Sequence, residues 1–249
     1  MLTEPTLEKL RSLRLDVMAA TWQEQQKRPE VAQLSFDERI GLLVEAEWLT
    51  RENKRLVTRL KEAKLKFGQA CIEDVDYPAK RELDRAVVRQ LATCRWVDEH
   101  QGIIITGKTG TGKTYVACAF AQQACRKGFR AVYRRASRFF DELAAARLDG
   151  TYPRLLARLA RLDVLVIDDL GISPVGDRER QALLEVMDDR FGVRSTIITS
   201  QIPTTSWHEA FGDPTVADAL CERILHNTHR IALQGPTRRK PVGEAVKDD

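Results

Sequence analysis

Hydrophobic positions follow two regimes along the chain. Up to about residue 67 they recur at helical spacing in a stretch poor in glycine. Leu7, Leu10, Val17 and Met18 share one helical face, and Pro29 closes that segment. Ser35 and Glu38 have the spacing of a capping box ahead of Ile40, Leu43 and Val44. The helix they open is predicted to run unbroken to about Phe67. Along its later half, Leu49, Leu56, Leu60 and Ala63 form an apolar stripe at a turn of about 100° per residue. Arg51, Lys54, Arg55, Arg59 and Lys66 point broadly the other way.

From residue 68 the pattern changes. Residues 68–78 read as a linker with an acidic patch, Glu73, Asp74 and Asp76, followed by a short helix near 80–91. Apolar runs of strand length then alternate with helical stretches. Strands are predicted at 102–106, 130–134, 164–168, 195–200 and 230–233, and helices near 112–127, 137–147, 177–190 and 214–226. This alternation predicts an α/β fold, a parallel sheet covered by helices on both faces. The expected organisation is a small all-helical N-terminal domain over 1–67, a linker over 68–78 and an α/β domain over 79–249.

Composition narrows the setting. The chain has 249 residues, 43% of them hydrophobic, enough for a full-sized core and a small second domain. Forty basic against 36 acidic residues leave a net charge of +4, so the distribution of charge matters more than its total. The start, MLTEPTLEKLRSL, is charged and lacks the apolar centre of a signal peptide. No apolar run approaches the ~18–20 residues that cross a bilayer. The cysteines, Cys71, Cys94, Cys118, Cys125 and Cys221, are odd in number and lack metal-site spacing. A reducing cytoplasm is the expected compartment.

The chemistry is concentrated in GKTGTGKT, residues 107–114, set between an apolar strand and a helix. Gly107, Gly112, Lys113 and Thr114 occupy every fixed position of a P-loop, with Lys108, Thr109, Gly110 and Thr111 between them and Tyr115 following. The glycines let backbone N–H groups wrap phosphates, and the next helix presents its positive end. Lys113 is placed for the β- and γ-phosphates of ATP, and Thr114 for Mg2+. A second strand, VLVIDD, ends in Asp168 and Asp169 where such a sheet meets its nucleotide. Asp168 suits the metal, directly or through water, and Asp169 suits orienting or deprotonating the attacking water. STIITSQ, 195–201, ends a third strand in Ser200 and Gln201, either of which could touch the γ-phosphate or the water; the alternative is an ordinary polar strand end.

With these residues in place, the chain resembles the AAA+ ATPases, and more narrowly the IstB family of insertion-sequence helper ATPases in their DnaC-like branch. The match is carried by FDERIGLLVEAEW, GKTGTGKTYVACAFAQQAC, IDDLG, LLEVMDDRFGVRSTIITSQIP, WHEAFGDPTVADALCERILHNTHRI and LQGPTRR. The resemblance implies a P-loop AAA+ core that binds and hydrolyses ATP with Mg2+ in a homo-oligomer, nucleotide lying at subunit interfaces. It implies that Asp169 stands where most AAA+ proteins have glutamate, and that Gln201 is a sensor. Arg223 becomes an arginine finger acting in trans, with a helix-surface ion pair as the alternative. Arg238 becomes a second sensor, although Thr237 stands where the family more often has serine, and the long helical lid of many AAA+ proteins is missing.

Between 51 and 66 lie seven basic residues against Glu52 and Glu62, which suits phosphate contact as well as a plain solvated face. The resemblance favours contact with duplex DNA, largely independent of sequence, through Arg51, Lys54, Arg55, Arg59 and Lys66. The function so implied is an ATP-dependent transposition regulator that assembles on target DNA, remodels it and recruits or stimulates an IstA-type transposase. The alternatives are a DnaC-type helicase loader and a nucleotide-gated assembly protein with negligible turnover.

Overall fold

The computed structural model describes residues 3–172 and 175–238. Arg239, the last residue of LQGPTRR, lies outside them. The chain forms two compact units, one ending at Thr58 and the other beginning at Arg59, inside a continuous helix.

The first unit contains α1 (Thr3–Ser12), α2 (Asp16–Lys27) and most of α3 (Phe36–Ala63). Arg14, in the left-handed region at φ 59°, breaks the predicted first segment into two helices. Leu7, Ala19 and Leu43 are buried in this unit. Glu47 ties it together, accepting from the Met18 amide at 3.0 Å and from Arg51 Nε at 2.7 Å. The capping box forms as expected: Ser35 N donates to Glu38 Oε2 at 2.8 Å, and Glu38 N to Ser35 Oγ at 3.3 Å. The helix it opens stops at Ala63, short of Phe67, because Lys64 turns to φ 49°.

The second unit is built on a parallel sheet of β1 (Gly102–Gly107), β2 (Ala131–Arg135), β3 (Val164–Leu170), β4 (Ser195–Ser200) and β5 (Thr228–Leu233). Their order is β2-β3-β4-β1-β5. The central strands β1, β3 and β4 are marked in sequence by apolar runs, the signature of burial on both faces, whereas the edge strands β2 and β5 are more polar. Around them stand α4 (Arg85–Ala92), α5 (Arg95–Asp98), α6 (Lys113–Arg126), α7 (Ala136–Leu148), α8 (Tyr152–Ala160), α9 (Asp177–Arg190), α10 (Trp207–Phe211) and α11 (Pro214–Leu225). Of these, α5, α8 and α10 have no counterpart in the sequence expectation.

Strand alternation divides the core. Ile104, Leu165, Ile167 and Ile198 pack with Phe139, Leu143, Leu183 and Leu220 from α7, α9 and α11. Ile103, Ile105, Val164, Val166 and Ile197 turn to the other face, where α6 lies against the sheet. Ala117, Ala121 and Ala124 are fully buried and allow α6 to approach closely. Arg190, 1% exposed, sews strand starts together by donating to the carbonyls of Leu159 and Leu162 and to Thr196 Oγ1. The strands' C-terminal ends therefore meet along one edge, where Gly107 lies beside Leu233, Thr106 beside Ser200 and Arg135 beside Asp168.

Candidate functional site

The P-loop spans the gap between β1 and α6 at that edge. Two glycines there are required by close approach. At Gly107 a Cβ would strike the carbonyl oxygen of Leu233, and at Gly110, φ 87°, it would strike Thr237. Lys113 is 5% exposed, and its Nζ donates to the carbonyls of Gly107 at 2.7 Å and Lys108 at 3.0 Å. Thr111 Oγ1 donates to the same Lys108 carbonyl at 2.9 Å, closing the turn. Lys108 and Thr109 face outward, and Tyr115 sits with its ring 6.0 Å from that of Phe67.

The two acids of β3 have different environments. Asp168 is fully buried and receives three hydroxyls: Thr114 at 2.9 and 3.1 Å to its two oxygens, Tyr133 at 2.7 Å and Thr199 at 2.6 Å. Burial, and then the hydrogen bond to Asp168, raise the Tyr133 phenol well above its usual pKa, so it remains a donor. Asp169 sits at φ 64°, where the β3–β4 register shifts, and its amide donates to Thr199 Oγ1 at 2.9 Å. Such a bulge re-aims a side chain, and aspartate enters the left-handed region more readily than most residues. The Asp169 carboxylate lies 3.4 Å from Arg135 Nε at the end of β2.

Gln201 follows β4 and accepts from Thr109 Oγ1 at 2.8 Å, which brings it to the loop. Arg238 also comes to the loop. Its amide donates to the Gly110 carbonyl at 2.8 Å and its guanidinium pairs with Asp76. Asp76 also holds Arg81, whose Nη1 donates to the Asp76 carbonyl at 2.8 Å and carboxylate at 3.0 Å. Arg81 is 4% exposed and lies so close to Gly112 that a Cβ there would be 2.8 Å from its guanidinium. Sequence reasoning missed Arg81, Tyr133 and Thr199; only the last, a polar residue in an apolar strand, carried a local signal.

Arg223 lies elsewhere. It lines a small cavity with His100, Gly102 and Thr228 at the strand-start edge, opposite the P-loop, and pairs with Asp188 of α9. The basic residues of α3, and Lys66 just after it, differ in their surroundings. Arg51 is paired with Glu47 and donates to the Arg14 carbonyl at 2.5 Å, while Arg55 is paired with Glu52. Lys54 and Lys66 are exposed. Arg59 departs from the expected outward face, its Nε donating to the Cys125 carbonyl at 3.0 Å.

The residues fit the nucleotide and metal that the motif implies. Thr114 Oγ1 and the Asp168 carboxylate supply hard oxygens on converging strand and helix ends, a sparse protein donor set of the kind Mg2+ takes beside phosphate. Among the described residues no other cluster suits a metal ion. The cysteines are unpaired, and burial pushes the Cys94 and Cys118 thiols up to about 11, removing them as nucleophiles at neutral pH.

The model of the IstB-like ATP binding protein family matches residues 8–243. The chain belongs to that family. An insertion sequence ATP-binding protein of Sinorhizobium fredii is 45% identical over 96% of this chain and 98% of its own length. The IS1162 ATP-binding protein of Pseudomonas fluorescens is likewise 45% identical, over 83% of this chain and 89% of its own. The IstB-like core shares its AAA+ P-loop fold with the crystal structure of the DnaC helicase loader, at TM-score 0.56 and 21% identity over 66% of this chain and 97% of that one. AMPPCP-bound DnaA from Aquifex aeolicus gives TM-score 0.56 at 18% identity, over 67% of this chain and 50% of its own. No described helix is long and apolar enough to cross a membrane.

Proposed function

We propose that this protein is a Mg2+-dependent ATPase that assembles as a homo-oligomer on duplex DNA and prepares that DNA for an IstA-type transposase in the cytoplasm. The observation that carries the ATPase reading is the junction of Thr114 with Asp168, 2.9 Å apart, with Asp169 as the next residue. Lys113 exchanges its loop carbonyls for the β- and γ-phosphates, supplying a buried positive charge where negative charge develops. Thr114 and Asp168 hold the metal, which supplies charge neutralisation on the phosphate oxygens. Asp169 accepts the proton of the attacking water, and Gln201 orients it from the other side of the loop. Arg81 and Arg238 add positive charge beside Gly110 and Gly112.

Arg223 acts in trans on this reading. Its place at the opposite edge of the sheet from its own P-loop supports that role, because a neighbouring copy could present it without rearranging either core. The guanidinium then leaves Asp188 on assembly. DNA recognition falls to exposed basic residues, Lys54 and Lys66 among them, with Arg51, Arg55 and Arg59 contributing after exchanging their present partners. The transposase and insertion-sequence context rests on family membership.

A second reading, nucleotide-gated assembly with little turnover, is favoured by the Arg135 guanidinium beside Asp169. Two variants separate the readings. Lys113→Ala is expected to lose nucleotide binding, measured with a fluorescent ATP analogue. Asp169→Asn is expected to keep binding and lose turnover by about 10²–10⁴-fold, the usual contribution of a general base. Equal turnover in Asp169→Asn and the parent on duplex DNA sinks the ATPase assignment of this acid.

A further inference from the structure

The segment that follows α3, residues 64–78, runs as a strap along α6 and the P-loop and is held at three points. Phe67 lies against Tyr115, Glu73 pairs with Arg126 at 2.7 Å, and Asp76 pairs with both Arg81 and Arg238. Between these points Ala70 and Val75 are buried, and their amides close turns onto the carbonyls of Phe67 and Ile72. The third point differs from the others because it stands at the phosphate cradle. Arg81 and Arg238 both approach Gly112, and the Arg238 amide is bonded to the Gly110 carbonyl. One carboxylate serves both guanidinium groups, and among the described residues no second acid pairs with either. This corner therefore keeps an excess of positive charge. Burial, and then the charge of Arg238, hold the Arg81 guanidinium below its usual pKa.

We propose that Asp76 is a latch that sets nucleotide affinity: it competes with nucleotide phosphates for Arg238, and losing that arginine loosens the strap. The two arginines are not equivalent. Arg81 is 4% exposed and also donates to the Asp76 main-chain carbonyl at 2.8 Å, so it stays in place. The Arg238 and Asp76 side chains are 39% and 52% exposed, within reach of an incoming anion. Tethered through its amide to Gly110, Arg238 changes partner by side-chain rotation alone. Phosphate groups carry more charge than a single carboxylate and take bidentate bonds from a guanidinium, which favours the exchange. Asp76 is then left with Arg81, and the strap is held at the loop by one arginine in place of two. Occupancy of the P-loop is thereby passed to the segment that continues α3. The inference rests on nucleotide binding at the P-loop and not on turnover.

The test uses the full chain with Mg2+ and a non-hydrolysable ATP analogue. Asp76→Asn keeps an oxygen for Arg81 but offers Arg238 no charge. It should bind the analogue about 2–5-fold more tightly than the parent, the strength of an exposed ion pair that no longer opposes binding. A variant that only loosened the fold would bind more weakly, so the sign separates the latch from a structural role. Amide hydrogen exchange over 68–78 needs no substitution. In the parent it should speed up by a similar factor when the analogue saturates. Arg238→Gln should exchange at the faster rate with and without the analogue. An Asp76→Asn affinity equal to or below the parent's overturns the latch. Exchange over 68–78 that is unchanged or slowed by the analogue overturns the loosening of the strap. A parent that binds no analogue sinks this inference and the ATPase reading together, whereas a parent that binds it and hydrolyses no ATP sinks the ATPase reading alone.

Discussion

Tyr133→Phe tests the site through a single atom. The variant keeps a buried ring but removes one of three hydroxyl donors from the fully buried carboxylate of Asp168. A hydrogen bond to a charged group contributes about 1.5–3 kcal/mol. For a unit of this size each kcal/mol lowers the melting midpoint by about 2–4 °C, giving a loss of about 3–12 °C. Trp96 and Trp207 are both 2% exposed and lie in the P-loop unit, whereas in the other unit Trp22 is half-buried and Trp48 is 57% exposed. Fluorescence of the buried tryptophans during a thermal ramp therefore follows the unit that holds the mutation. In an Asp168→Asn background the same change should have a much smaller effect, because the acceptor is no longer a charge. A Tyr133→Phe midpoint within about 1 °C of the parent refutes the view of Asp168 as a carboxylate held by its hydroxyls.

Other expectations concern the arginines. Arg223→Ala should bind ATP but hydrolyse it about 10³-fold or more slowly. Mixing it with Lys113→Ala should restore part of the activity, each copy supplying what the other lacks; a mixture no faster than either variant alone argues against action in trans. The Arg238 hydrogen bond, partly opposed by burial, holds the Asp76 carboxyl below the usual aspartate range. Its folded-state pKa is depressed, so its stabilising contribution is complete above the ordinary value of about 3.9 and is lost as pH falls through the folded value. The urea-midpoint difference between the parent and Asp76→Asn should thus be full near neutrality and close in acid; a difference independent of pH shows that the ion pair is not its origin.

The sequence made visible whatever depends on neighbours in the chain. The P-loop is a contiguous motif, and β1, β3 and β4 are apolar runs ending in polar residues because both faces of the sheet are covered. Boundaries governed by one residue's backbone were less visible: Arg14 and Lys64 adopt left-handed conformations without a glycine to announce them. The α8 helix carried a usable signal, Pro153 near its start with Leu155 and Leu159 one turn apart. The remaining parts of the site are long-range. Asp76 looked like one member of an acidic linker patch, yet it anchors Arg81 and Arg238, the latter from far along the chain. Tyr133 reads as an ordinary strand aromatic until β2 is laid beside β3 and its hydroxyl meets Asp168.

The position of β5 also bears on the making of the protein. The strand next to β1, and the segment that leans on Gly110, come from the end of the described chain, so a ribosome displays the phosphate-binding motif long before its flank exists. At about 5–20 residues per second the delay is on the order of 10 s. Throughout that interval one side of β1, rich in isoleucine, lacks its neighbour and presents an open edge to other chains. Synthesis thus passes through an aggregation-exposed stage that ends only when Thr228–Leu233 docks. Nucleotide added to a translation reaction should protect chains released with β5, and should do little for chains truncated before it.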